Sequence, residues 1–175
     1  QQAYEQARQK RESAMEKIEQ IRDQAKKKAA ERIMEQLSHI NQVWTDHFTN
    51  VLDRLDIALR VIVSRRDKAL ANGNDVSSVD SAIQRAKEKV AAARTAVVEQ
   101  AKKTYIIDAS TVTGTQDSMM SKMREQFKSL RDQLFNDLKT LRDGPMKEAR
   151  IAVQDVLRAL SQIPNVDREE AANSE

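Results

Sequence analysis

His39, Asp46 and His47 are the residues whose types and closeness in this sequence come nearest to a metal-binding set. The two histidines are eight positions apart, about two helical turns if the segment is helical. Neither belongs to a Glu-x-x-His pair of the kind that builds a di-iron site in a helical bundle. Glu35 and His39 stand at i,i+4 and can pair with each other instead. A closed metal site needs four ligands converging on one point, so the sequence assigns no metal ligand and no cofactor. The many carboxylates each have a basic neighbour about one turn away, which leaves no isolated acid–base pair for catalysis. No glycine-rich phosphate loop and no Ser/His/Asp grouping stands out, so no catalytic residue is assigned and the chain is read as non-enzymatic.

Two other groups could recognise a partner. Trp44 with Phe48, at i,i+4, is a core plug or a subunit anchor rather than a platform for a ligand. Met119, Met120 and Met123 could form an adaptable binding edge, or fill one end of a core. The run Lys26-Lys27-Lys28 is answered by Glu31 and Glu35, the spacing of a solvated, ion-paired helix face.

The elements that must position these residues are long helices. Residues 1 to 71 contain neither glycine nor proline, and the first break is Ala71-Asn72-Gly73-Asn74-Asp75. Positions 4, 7, 11, 14, 18, 21 and 25 alternate in steps of three and four, a seam in which Arg11 fills one slot. The steps then become 29, 33 and 37, which shifts the stripe as a stutter does. An unbroken helix of this length reaches roughly 100 Å, more than one small domain can cover. Residues 1–38 are therefore expected to form a projecting helical arm. Its alanine-rich stripe buries little area, so it needs a partner. Tyr4, Ala7, Ala14, Ile18, Ile21 and Ala25 are the expected self-association contacts.

From Ile40 the apolar face widens through Val43, Trp44, Phe48, Leu52, Leu55, Ile57, Leu59, Val61 and Ile62. Past the Gly73 turn, Asp75 or Ser77 can cap a second helix, with Asp80 completing a capping-box-like pattern. That helix carries Val79, Ile83, Ala86, Val90, Ala93, Val97 and Ala101, and should end near Thr104. Residues 105–114 are rich in β-branched side chains and close on Gly114, the pattern of an extended connector. A third helix runs from about residue 115–118 to about Gln162, with a kink expected at Gly144-Pro145 because the apolar stripe stays in phase across it. The expected fold is all-α: an antiparallel three-helix bundle over 39–166, the arm before it, and an acidic tail at 167–175.

The totals agree with that class and bound the function. Apolar residues make up 39% of the 175, charged residues 33% and aromatics only 3%, which suits narrow helical packing. Thirty basic residues face 27 acidic ones for a net charge of +3, so the sequence pI near 9.2 reflects a small excess on a balanced surface. Nucleic-acid binders concentrate positive charge, and here the signs alternate. There is no cysteine, hence no disulfide framework. The longest apolar run, Ile57 to Val63, is interrupted by Arg60 and is far short of a membrane span. The chain begins at Gln1 without an initiator methionine; removal of a targeting segment is one explanation, and a sequence cut from a longer chain is the other.

Several blocks together carry a resemblance. Asn41-Gln42-Val43-Trp44-Thr45-Asp46-His47-Phe48 followed by Val51-Leu52-Asp53-Arg54-Leu55 resembles uncharacterised predicted-secreted helical proteins of ultrasmall, reduced-genome bacteria. Asn72-Gly73-Asn74-Asp75-Val76-Ser77, Lys103-Thr104-Tyr105, the segment Phe135 to Asp143, and Leu160-Ser161-Gln162-Ile163-Pro164 fit the same pattern. The resemblance implies export to the envelope or exterior and implies no activity. Where that family runs through the middle of the third helix, this chain has Gly144-Pro145.

Combined, these readings give an exported structural protein that assembles with copies of itself, as an extracellular filament or surface-layer subunit with possible cell-surface attachment. The alternative is an envelope or extracellular binding module, chaperone- or adhesin-like, that uses the helical arm to hold a partner.

Overall fold

The computed structural model describes residues 2–19, 24–108 and 116–164. All regular structure among them is helical: α1 (Gln2–Glu19), α2 (Gln24–Ala71), α3 (Ser77–Ala101), α4 (Gln116–Leu141), a π-helical segment (Arg142–Met146) and α5 (Lys147–Ser161). The chain forms two compact units, Gln1–Phe48 with Thr95–Arg142 and Thr49–Arg94 with Asp143–Glu175. Ile21, Gly114 and the acidic tail at 167–175 lie outside the described residues.

The expected projecting arm is corrected by the first unit. In one straight helix Arg11 and Ser38 would stand about 40 Å apart, yet Arg11 Nη1 donates to Ser38 Oγ at 3.2 Å. Ala14 and Ile18 of α1 share a buried cluster with Ala30 and Met34 of α2, Ile107 of the connector and Met123 of α4. The physical reason is the thinness of both stripes. An alanine-rich face leaves its helix marginal in water, and laying α1 back on the equally sparse start of α2 buries the two together. Ala14, Ile18, Ala30 and Met34 thus belong to the core of the first unit.

A second difference lies in the polar members of the buried face. The expected stripe through α2 ran over Ile33, Leu37, Ile40, Trp44, Phe48 and Leu52. Leu37, Phe48 and Leu52 are buried, but Ile33 and Ile40 are half-buried and Trp44 is 39% exposed. Met34, Asn41 and Thr45, each one residue further on, are buried in their place, and Asn41 and Thr45 find hydrogen-bond partners there. Farther along, Leu52, Leu59 and Ile62 are buried as expected, whereas Val43, Ile57 and Val61 are about half exposed.

The turn after α2 follows from its glycine. Gly73 has φ +79, its N–H donates to Leu70 O at 2.9 Å, and Asn74 N–H donates to Ala69 O at 3.0 Å. These are the two bonds of a Schellman motif, which needs a left-handed residue at that place. Asp75 Oδ1 then accepts from the Ser77 N–H at 2.9 Å, an Asx-type cap that holds the Asp75 carboxyl below its ordinary range. Asp80 pairs with Arg66 at 2.6 Å instead of completing a capping box. The apolar positions of α3 named from the sequence are buried throughout.

Residues 103–108 are non-helical, as expected, with Tyr105 and Ile107 buried. At Gly144-Pro145 the chain stays helical through the π segment. Proline lacks an N–H and its ring clashes with the carbonyl four residues earlier, here that of Leu141. Widening the turn relieves both problems, and Met146, Ala149, Val153, Val156 and Leu160 continue the buried stripe. Within the second unit, Arg94 of α3 bridges Asp53 and Asp56 of α2, and Lys89 of α3 pairs with Glu148 of α5 at 2.8 Å. The Lys89 pair is exposed on both sides and contributes little. No helix among the described residues is long and apolar enough to cross a membrane.

Candidate functional site

The first unit holds a cleft of about 250 Å³ between α1, α2 and the segment that follows α3. α1 contributes Ala7, Arg8 and Arg11. α2 contributes Met34, Ser38, Asn41, Gln42 and Thr45. The end of α3 and the connector add Ala101, Lys103, Thr104, Tyr105 and Ile106.

Its floor is a buried polar network. Gln100 Nε2 donates to Asn41 Oδ1 at 2.9 Å and to Tyr105 Oη at 2.8 Å. Tyr105 Oη donates in turn to Asp137 Oδ2 at 2.8 Å, and Asp137 Oδ1 accepts from Lys103 Nζ at 3.0 Å. Asn41 Nδ2 donates to the carbonyl oxygens of Gln100 at 3.1 Å and Lys103 at 3.4 Å. The Gln100 carbonyl, at the end of α3, also accepts from the Lys103 N–H at 3.0 Å, and the Lys103 carbonyl lies just beyond the helix. The Thr45 hydroxyl lies 3.0 Å from the carbonyls of Asn41 and Gln42. Asn41, Thr45, Gln100 and Tyr105 are all buried, so leaving any of their polar atoms unpaired would cost about 1–3 kcal/mol. Burial, reinforced by the bond to Asp137, pushes the Tyr105 phenol well above its ordinary value. Tyr105 is therefore a neutral donor here, and the arrangement ties the segment after α3 to Asn41 of α2 and Asp137 of α4.

The walls are cationic on one side and apolar on the other. Arg8 pairs with Glu5 and Glu12, each at 3.2 Å. Arg11 contacts the neutral Ser38 hydroxyl. Met34, Ala7, Ala101 and Ile106 supply the apolar surface.

The residues singled out from the sequence separate in space. Ala14 and Ile18 are buried in their own chain, and Ala7 lines the cleft. Tyr4 and Ala25 have helical backbone but side chains outside the described residues, as does the whole of Ile21. Phe48 is 1% exposed and belongs to the core, while Trp44 faces solvent. The Trp44 ring lies 5.9 Å from His47 edge-on and 5.7 Å from Phe48. His39, Asp46 and His47 are all on exposed positions of α2. Among the described residues no three His, Cys, Asp or Glu side chains gather where they could hold a metal ion. Met123 is buried with Met119 packed against its cluster, and Met120 is exposed.

Sequence reasoning missed Asn41, Gln100, Tyr105 and Asp137. The signal is Asn41 and Thr45 at i,i+4, one residue past Ile40 and Trp44 and in step with Leu37, Phe48 and Leu52. Arg11 was visible as a cation in a seam slot. No protein-family model, curated protein or solved structure matches this chain.

Proposed function

We propose that the protein is a non-enzymatic helical binding module in which α1 lies over a cleft that receives a group from a partner. The observation that supports it is the cleft itself, walled by Ala7, Arg8 and Arg11 of α1 and floored by the Asn41–Gln100 network. α1 then holds a partner by covering it. The non-catalytic part is supported by the commitment of the nearby acids: Asp137 to Lys103 and Tyr105, Glu5 and Glu12 to Arg8. Export to the envelope or exterior is carried by the resemblance of the Asn41–Leu55 and later blocks alone. We also read α2, α3 and α5 of the second unit as an antiparallel three-helix bundle. Arg66–Asp80 near the Gly73 turn and Arg94–Asp53 far from it support that reading.

A fragment screen read by NMR of the Met34 and Ile106 methyl groups tests the cleft. Fragments that move both, and leave the buried Met146 of the second unit unchanged, are the expected result. A screen with no perturbation at Met34 and Ile106 would remove the reading.

A second reading is self-association, as a filament or surface-layer subunit. Its support is the exposed pair Ile57 and Val61, at i,i+4 on α2 and 52% and 53% exposed. The contact set then shifts away from Ala14 and Ile18, which their own chain covers. Sedimentation across a concentration series decides it, because a small and constant size excludes assembly.

A further inference from the structure

The cations of the cleft are not equivalent. Arg8 has two carboxylate partners and Lys103 has one. No lining side chain of the cleft is acidic. Arg11 stands in the apolar seam between Ala7 and Ala14, half-buried, and its polar partner among the described residues is the Ser38 hydroxyl. A guanidinium carries five N–H donors in a planar fork that matches a carboxylate with two parallel bonds. Holding that group against a neutral hydroxyl in a partly desolvated seam leaves most of those donors without a strong acceptor. Arg11 and Met34 also border a second hollow with Glu12, Glu16 and Glu35, and among the described residues none of these carboxylates forms an ion pair with Arg11.

The lining also has an apolar part, made by Met34, Ile106, Ala101 and Ala7. The volume of about 250 Å³ lies below the roughly 300–1,000 Å³ of sites for drug-sized ligands. One charged head on a short apolar stem matches the cation and the apolar lining.

We propose that the cleft binds a small amphiphilic carboxylate, its head on the Arg11 guanidinium and its stem along Met34 and Ile106. This rests on reading the cleft as a binding site and adds the ligand class. Asn41, Gln100 and Tyr105 are occupied with one another and form the rigid floor. Arg8, already neutralised, contributes steering at most.

The test is an NMR titration of the full chain with three probes of one stem length: hexanoate, hexanol and hexylamine. Hexanoate should move the Met34 and Ile106 signals and bind at least about tenfold more tightly than hexanol, with hexylamine weakest. Arg11→Leu completes the apolar seam and should fold at least as well, yet lose about tenfold or more of hexanoate affinity. Arg11→Lys should recover part of the loss, and Arg150→Gln, an exposed cation of α5 outside the cleft, should leave the affinity unchanged. Equal binding of hexanoate and hexanol, or hexanoate affinity indifferent to both Arg11 variants, overturns the carboxylate assignment while the cleft remains a site. Absence of any hexanoate response at Met34 and Ile106 also overturns it, and the fragment screen then decides separately whether the cleft binds anything.

Discussion

Asn41 and Gln100, 59 positions apart in the chain, are joined by two hydrogen bonds: Gln100 Nε2 to Asn41 Oδ1 at 2.9 Å, and Asn41 Nδ2 to the Gln100 carbonyl at 3.1 Å. One side chain thus ties the middle of α2 to the end of α3 and gives the Lys103 carbonyl a donor. Asn41→Ala should lower stability by about 1–3 kcal/mol, since it removes the Asn41 partner of the buried Gln100 amide and of the Lys103 carbonyl. Denaturant unfolding with an unchanged m-value is the measurement. A loss below a few tenths of a kcal/mol would show that water replaces Asn41 without cost.

Tyr105 carries a pH prediction. Its phenol is raised above the ordinary value of 10.0 by burial and by the bond to Asp137. A raised native value means that the folded state keeps its proton after the unfolded state has lost it. The contribution of the hydroxyl is therefore fully present below pH 10 and is lost as pH rises toward the native value. Tyr105→Phe should be less stable than wild type by about 1–2 kcal/mol at neutral pH. The gap should narrow as the solution becomes alkaline above pH 10. Parallel urea melts from pH 8 upward check it, and a constant gap would contradict the assignment.

Ile18 is fully buried between α1 and its neighbours. Ile18→Ala should cost about 2–5 kcal/mol, read as faster amide exchange in the first unit. Removal of residues 1–19 should uncover Met34, Ala30, Ile107 and Met123 and increase binding of a hydrophobic dye. A truncated chain that binds no more dye than the full one would show that α1 covers nothing.

The Gly73 turn is a local prediction. An added Cβ meets no atom within 4 Å, so the obstacle to alanine is the backbone angle of +79 alone. Gly73→Ala should destabilise by about 1–2 kcal/mol, and Gly73→Asn by less. Thermal melts of the two variants compare them directly.

The helical class, the Gly73 turn, the α3 stripe and the buried Leu134–Leu160 series were all legible in the sequence, because each follows from local periodicity or a single special residue. The fold-back of α1 was not. A chain free of glycine and proline from residue 1 to 71 favours continued helix at every local step, and only the pairing of two sparse stripes over a distance of 27 residues, Arg11 to Ser38, argues otherwise. The cleft was hidden for a related reason. Its floor is made of Asn41, Thr45 and Gln100, polar residues that a hydrophobic pattern assigns to the surface, and the partners of Asn41, which are Gln100 and Lys103, lie 59 and 62 positions away. Arg11 alone was visible, as a charge where the seam called for an apolar side chain.

Everything proposed for the cleft depends on α1 lying against α2. Arg8 and Gln42 line opposite walls of it, and the chain has no cysteine to compete for labels. Nitroxide spin labels at Arg8→Cys and Gln42→Cys, read by pulsed electron paramagnetic resonance in dilute solution, measure the arrangement. A single short distance is expected. A distribution centred at roughly 50 Å, the span of 34 residues in one straight helix, would contradict the folded-back α1 and the cleft with it.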